Sequence, residues 1–224
     1  MTVLTQPGPW WLVLAVVMAG AGLGRWLAKQ LASGGYRLDD EWDRPVPTRT
    51  WSLVGLLPLV WGLIAWRVGG PGTLLAVPAL MLVGFSGVAL AWIDLDIHRL
   101  PHGLTYPTAI AALGLLLVAS AVSGSWWPLG RALASGAAAY IVLLLLALVS
   151  RGQFGLGDVT LGGILGLTLG FIDARMPWEA LLLAFVTSGV VSLVGLITRR
   201  LTLRSDLAFG PYLLLGALLA VLLG

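Results

Sequence analysis

The chain contains eight apolar stretches, most of them long enough to cross a lipid bilayer as a helix. A helix of about 20 apolar residues spans the hydrocarbon core. Hydrophobic residues make up 58% of the 224 positions and charged residues only 10%, and the period-2 alternation of a membrane β-barrel is absent. We therefore predict an all-α polytopic membrane protein with about eight transmembrane helices. The predicted spans are approximately 9–31, 51–68, 72–93, 103–123, 128–150, 158–174, 177–198 and 207–223.

The first stretch is expected to stay in the protein as a membrane helix. No Lys or Arg precedes it, whereas Arg25 and Lys29 follow it, and a cleaved signal peptide has a basic start and a shorter apolar core. The polar segment that comes next, 32–50, is too short to fold as a domain. The predicted organisation is a helix and short cytoplasmic segment over 1–50 and a membrane core over 51–224.

The basic residues indicate an orientation rather than a nucleic-acid partner, although the net charge is +3. Cytoplasmic loops of membrane proteins carry the excess of Lys and Arg. If the first helix runs from outside to inside, ten of the 13 basic residues fall on the inner side, which places both termini outside. The chain has no cysteine, so disulfides, a cysteine nucleophile and a cysteine-based zinc site are excluded.

Two aspartates stand where apolar stretches end or begin. Asp94 closes the third stretch, and Asp158 opens the sixth within Gly155-Leu156-Gly157-Asp158. Carboxylates this close to hydrocarbon are costly and usually functional, and the predicted orientation places both at the inner face. Two carboxylates around one water can share a proton and serve as base and acid in peptide hydrolysis. The pair therefore predicts an intramembrane aspartyl protease, with the base and acid roles unassigned.

Three polar residues that follow Asp94 can be interpreted without assigning them a function. At helical spacing Asp94 and His98 share a face, while Asp96 points elsewhere. A solvated charge at the helix end is the favoured interpretation of Asp96, with a supporting role beside the site as the alternative. His98 and His102 are not accompanied by carboxylates at a clear metal-ligand spacing. We therefore expect them to be polar loop residues, and we expect neither a metal nor a cofactor.

Gly155 and Gly157 indicate close backbone approach beside Asp158, because glycine adds no side-chain bulk. Such a site leaves room for an extended substrate strand. Asp158 also suits a helix N-terminus, where an anion is favoured. The two interpretations of Asp158 are compatible.

Two other classes of function stay open. Intramembrane carboxylates often mark ion paths, so a small transporter or ion-coupled channel is an alternative, as is a catalytically inactive assembly subunit. Transporters typically place such groups near the bilayer midplane in broken helices of an internal repeat. Here both aspartates lie at helix ends and no clear repeat is present, which favours a peptidase.

Three motifs resemble those of the type IV prepilin peptidases, intramembrane aspartyl proteases of the GxGD type, in the order found in that family. They extend over roughly 51–224. The first is Ile93-Asp94-Leu95-Asp96 with Leu100-Pro101 and Leu104-Thr105-x-Pro107, the second is Gly155-Leu156-Gly157-Asp158-Val159-Thr160-Leu161, and the third is Ala208-Phe209-Gly210-Pro211-Tyr212-Leu213 with Gly216-Ala217.

The resemblance implies an endopeptidase that removes the short basic leader from type IV prepilins or pseudopilins, after a glycine, at the cytoplasmic face of the inner or plasma membrane. The substrate's apolar stem would lie in the bilayer. Asp94 and Asp158 match the family's two catalytic aspartates. The remaining site residues would bind substrate or support the site: Gly155, Gly157, Asp96 and Pro101. The natural prepilin, the process served and the oligomeric state are left open.

The chain also departs from the family pattern. Bifunctional members methylate the new N-terminus with a larger cytoplasmic domain that often carries paired Cys-x-x-Cys zinc sites, whereas here that region is reduced to about 32–50 without cysteine. This argues against methyltransferase activity. His102 stands where the family usually has Asp or Asn, and Thr160 where it usually has Lys, so altered specificity is also compatible with the motifs.

Overall fold

The computed structural model describes residues 7–38, 50–150, 155–199 and 208–224. Within these ranges the chain is helical and contains no β-strand, which confirms the predicted all-α fold. Two short 3-10 helices, Thr50–Ser52 and Leu74–Ala76, precede the second and third long helices. The α-helices are α1 Trp10–Ala32, α2 Leu53–Val68, α3 Val77–Ile97, α4 His102–Ser123, α5 Trp127–Val149, α6 Leu156–Ile172, α7 Met176–Ile197 and α8 Gly210–Leu223.

Six of the helical segments are long and apolar enough to cross a membrane, so the chain is a multi-pass membrane protein. They comprise α1, α4, α5 and α7 together with Thr50–Val68 and Leu74–Ile97. The other two are shorter: α6 has 17 residues and α8 has 14. At 1.5 Å per residue a 14-residue helix is about 21 Å long, less than the roughly 30 Å of hydrocarbon. Most of α6 is buried among the other helices.

The helix α3 ends later than the sequence predicts. The expected span stops at residue 93, but the helix continues to Ile97 and ends at His98, whose φ of 52° is left-handed. Asp94 and Asp96 therefore lie in the last turn of α3 rather than beyond it. An aspartate lowers helix propensity only slightly, so the change in polarity at Asp94 does not end the helix.

The helix beginnings follow from proline. Proline occupies one of the first two positions of α3, α5, α7 and α8. The amide that proline lacks has no partner inside the helix at these positions, so the residue starts a helix at no cost. In α8 this proline is Pro211, so the start of the helix is fixed directly at Gly210.

Small residues bring α6 against α5. A Cβ on Gly166 would lie 2.8 Å from the Cβ of Ala139, closer than side chains pack, so only glycine permits this contact. At the far end of α6, Arg131 of α5 donates its Nε–H to the carbonyl of Gly170 at 2.7 Å and its Nη2–H to that of Phe171 at 2.6 Å. These bonds satisfy carbonyls that a helix leaves free at its C-terminus. The C-terminal end of α6 is thereby held against α5.

Candidate active site

The structure brings the two predicted aspartates together at the start of α8. Asp94 lies in the last turn of α3 and Asp158 in the first turn of α6, and both are buried. A Cβ placed on Gly210 would lie 2.8 Å from Asp94 Oδ2 and 3.5 Å from Asp158 Oδ1. Both distances are measured from the same Cβ position on Gly210. The two carboxyl groups therefore face each other across Gly210, near enough for their charges to repel.

The backbone of α8 holds the Asp94 carboxylate. The amide of Gly210 donates a hydrogen bond to Asp94 Oδ2 at 3.0 Å, and Gly210 is the first residue of that helix. Amides at a helix N-terminus are unsatisfied within the helix and carry partial positive charge. Asp158 lies in the first turn of α6, so helix N-termini favour negative charge on both sides of the pair.

One oxygen of Asp158 is buried without satisfying its hydrogen-bonding capacity within the described residues. Asp158 Oδ1, the oxygen that faces Gly210, is buried and has no hydrogen-bond partner among the described residues. A buried carboxylate oxygen without a partner costs free energy, and such groups in native proteins are typically kept for a functional reason. The oxygen points toward the space that it shares with Asp94.

Gly210 is not among the site residues predicted from the sequence, although it lies within the third motif. A side chain there would meet Asp94 Oδ2 at 2.8 Å, so the position has no room for one. The available signal was Phe209-Gly210-Pro211, a glycine immediately before a helix-starting proline. That pattern predicts a backbone amide free to bind an anion, but it does not indicate which anion.

Gly157, in the first turn of α6, packs against the turn between α3 and α4, which contains Leu100 and Pro101. A Cβ on Gly157 would lie 2.6 Å from the Cβ of Leu100, so Leu100 fills the space beside this glycine. Pro101 then caps α4, and its carbonyl accepts hydrogen bonds from the amides of Leu104 and Thr105 at 3.0 and 3.1 Å. These contacts fix the end of α3 against the start of α6.

Gly155 differs from Gly157 because it is exposed. It caps the start of α6, and its carbonyl accepts the amide of Asp158 at 3.1 Å. A Cβ on Gly155 would lie 3.3 Å from Asp158 Oδ2. Gly155 therefore lies directly beside the Asp158 carboxylate.

Asp96 is not the solvated charge that the sequence favoured. Its carboxylate accepts hydrogen bonds from Arg37 Nη2 on both oxygens at 2.7 Å and from Arg37 Nε on Oδ2 at 2.9 Å. The Tyr36 hydroxyl also donates to Oδ2, at 2.7 Å. The side chains of the ion pair are almost fully buried, at 0% and 6% exposure. Asp96 therefore ties the chain after α1 to the helix that carries Asp94.

Burial and charge alter the titration of the two groups that bind Asp96. Burial, followed by the hydrogen bond to Asp96, raises the pKa of Tyr36 to about 12. The hydrogen bond to Asp96 also raises the pKa of the Arg37 guanidinium. Both shifts favour the protonated donors, which are the forms that hold the Asp96 carboxylate.

The positions that depart from the family pattern have local partners. His102 stacks on Tyr106 with ring centroids 5.1 Å apart. The Thr160 hydroxyl donates to the carbonyl of Leu156 at 3.1 Å, within its own helix. His98 is exposed at the end of α3, where its amide donates to the carbonyl of Asp94 at 2.9 Å.

These features define a polytopic helical membrane protein with a buried pair of carboxylates at the ends of two helices. The chain belongs to the type IV leader peptidase family, whose model matches residues 80–223. The resemblance found in the three motifs is thus confirmed.

Curated relatives with the name prepilin leader peptidase/N-methyltransferase are similar to this chain. The protein of Aeromonas salmonicida strain A449 is 35% identical over 164 residues, which cover 69% of this chain and 51% of that protein. The protein of Pseudomonas putida is 31% identical over 172 residues, which cover 72% and 54%. The chain spans about half the length of these relatives. No solved structure matches it.

Proposed function

We propose that the protein is an aspartyl endopeptidase that removes the leader peptide from type IV prepilins or pseudopilins. The observation that carries the proposal is the convergence of Asp94 and Asp158 on Gly210, with Asp158 Oδ1 buried and unpartnered among the described residues. Family membership and the names of the relatives support the substrate class.

In the proposed reaction the two carboxyl groups activate one water. One carboxylate accepts a proton from the water as its oxygen attacks the carbonyl carbon of the scissile peptide bond. The protonated partner donates to the carbonyl oxygen, which gives a gem-diol intermediate. The proton gained from the water then passes to the leaving amine as the C–N bond breaks, and one hydroxyl of the diol returns a proton to the partner as the new carboxyl group forms. The pair shares the proton, so neither residue is assigned one fixed role.

The cytoplasmic face is proposed for this site, in the inner or plasma membrane. Arg37 follows the basic end of α1 and binds Asp96 in the last turn of α3. The end of α1 that carries Arg25 and Lys29 therefore lies on the same side as the carboxyl pair. Basic residues mark the cytoplasmic side of membrane proteins, and a basic leader would approach from there.

The position of the carboxylates favours a peptidase over a transporter. Asp94 lies in the last turn of its helix and Asp158 in the first turn of its own. A transporter typically holds such groups near the midplane, in interrupted helices. An inactive subunit would not require two buried carboxylates that face each other, because that arrangement costs folding free energy.

Leader cleavage of a candidate prepilin in membranes tests the proposal. Asp94→Asn and Asp158→Asn should each abolish the shift of the substrate band, at unchanged protein level. Asp173→Asn is the matched control, because Asp173 directly follows α6 and accepts the amide of Arg175 at 2.8 Å. Cleavage that survives either change in the pair would refute the mechanism. Mass spectrometry of the new N-terminus also tests the expected absence of methylation.

A further inference from the structure

An apolar groove of about 290 Å³ runs between α2, α3 and α8, with α6 as its floor. Its rim includes the exposed side chains of Leu56, Leu95 and Leu215, one from each of the three helices. Among the described residues that line it, Thr168 alone has a polar side chain, and its hydroxyl donates to the carbonyl of Ile164 at 3.0 Å. The groove therefore offers an occupant apolar surface only.

One end of the groove lies at the depth of the carboxyl pair. Leu95 follows Asp94 in the chain, Pro211 follows Gly210, and both line the groove. Along α3 the lining extends back to Leu80, a distance of about 22 Å at 1.5 Å per residue. The groove thus covers most of the depth of a membrane's hydrocarbon core.

Glycines on α3 let side chains of α8 and α2 pack closely against it beside the groove. A Cβ on Gly87 would lie 2.6 Å from Leu214, and a Cβ on Gly84 would lie 3.3 Å from Trp61. Within lipid the hydrophobic effect does not drive helices together, and close packing against small residues supplies the attraction instead.

We propose that the groove seats the apolar segment that follows the cleavage site of the substrate, in helical form, and so presents the scissile peptide to Asp94 and Asp158. This inference rests on the proposed function. It is supported by continuity, because the lining of the groove reaches Leu95 and Pro211, the residues that directly follow Asp94 and Gly210 in the chain. The length of the groove also fits a segment that must lie in the bilayer while its end is cut at the membrane face.

Disulfide cross-linking tests the groove directly, because the chain has no cysteine of its own. Leu215→Cys places a thiol on the rim and Leu145→Cys is the control on the outer face of α5; the two side chains are 43% and 56% exposed. Leu215 lies five residues after the start of α8, and Leu145 lies four before the end of α5, the end that leads to α6. Both positions therefore lie at a similar depth.

The variants are combined with Asp158→Asn and co-expressed with a prepilin that carries one cysteine in its apolar segment. After oxidation we expect about tenfold more cross-linked product at Leu215 than at Leu145, because a seated neighbour is held at high effective concentration. Equal products at the two positions, or none at Leu215, would overturn the groove as the seat. Cleavage of the same cysteine substrate by the chain with both aspartates intact is measured in parallel, so that failure of the proposed function is recognised separately.

A kinetic measurement distinguishes the substrate from a lipid chain as occupant. Leu215→Trp, in the chain with both aspartates intact, should raise KM about tenfold with little change in kcat, because it blocks binding and not chemistry. Leu145→Trp should leave both constants unchanged. An unchanged KM for Leu215→Trp would mean that lipid alone fills the groove, and the proposal would fall.

Discussion

Gly210 donates its backbone N–H to the carboxylate of Asp94, 116 positions earlier in the chain, at 3.0 Å. The start of α8 thereby fixes one carboxyl group of the pair, and the same residue borders the other. The glycine is required by space rather than by backbone conformation, because a Cβ would lie 2.8 Å from Asp94 Oδ2.

Gly210→Ala should therefore disable the site without unfolding the protein. The methyl group displaces the Asp94 carboxylate, and a misplacement of about 1 Å can lower the rate about 100-fold. We expect a loss of that order in kcat/KM for leader cleavage. Gly114→Ala, in α4, is the control because nothing lies within 4 Å of its Cβ position. Equal activity of the two variants would contradict the assigned role of Gly210.

The ion pair between Asp96 and Arg37 predicts that activity depends on the shape of the cationic side chain at position 37. Arg37 donates from both Nε and Nη2, and a lysine cannot reproduce this two-point contact. Arg37→Ala and Arg37→Lys should both lower kcat/KM about tenfold, because the end of α3 beside Asp94 loses its anchor.

Lys29→Ala is the control for the Arg37 variants, since Lys29 is an exposed cation at the end of α1. The double variant Arg37→Ala/Asp96→Asn separates the pair from its members. If the two residues act together, it should lose no more activity than Arg37→Ala alone. Fully additive losses would show that Asp96 acts without Arg37.

The sequence was sufficient for the helices and for the face that the aspartates share. Apolar length predicted the helices, and the distribution of Lys and Arg predicted one common side for the two aspartates, which the structure brings together. It could not give the partners of Asp96, because Tyr36 and Arg37 lie 60 and 59 positions away on another segment. Sideways packing of membrane helices depends on small residues and shape, which no single stretch of sequence encodes. For the same reason the contact of Gly210 with Asp94 was beyond prediction.

Tyr36 should titrate far above an ordinary tyrosine. Its pKa of about 12 compares with about 10 in an unfolded chain. Since the folded pKa is the higher one, the stabilisation is fully present below about pH 10 and is lost as the pH rises from 10 to 12. In the absorbance at 295 nm, the intact protein minus Tyr36→Phe should show a tyrosine that ionises near pH 12. A difference curve centred near pH 10 would contradict the buried contact with Asp96.

Asp158→Asn should stabilise the fold while it abolishes cleavage. The intact side chain holds a buried oxygen without a partner among the described residues, next to the like charge of Asp94. The amide removes the charge at nearly the same size, so the free energy of unfolding should rise by about 1 kcal/mol. Thermal unfolding in detergent at pH 7 should show this increase in stability as a higher Tm. Asp173→Asn should leave Tm unchanged, because its carboxylate is bound outside the pair. A lower Tm for Asp158→Asn would contradict the prediction, because it would mean that the carboxylate stabilises the fold rather than destabilising it.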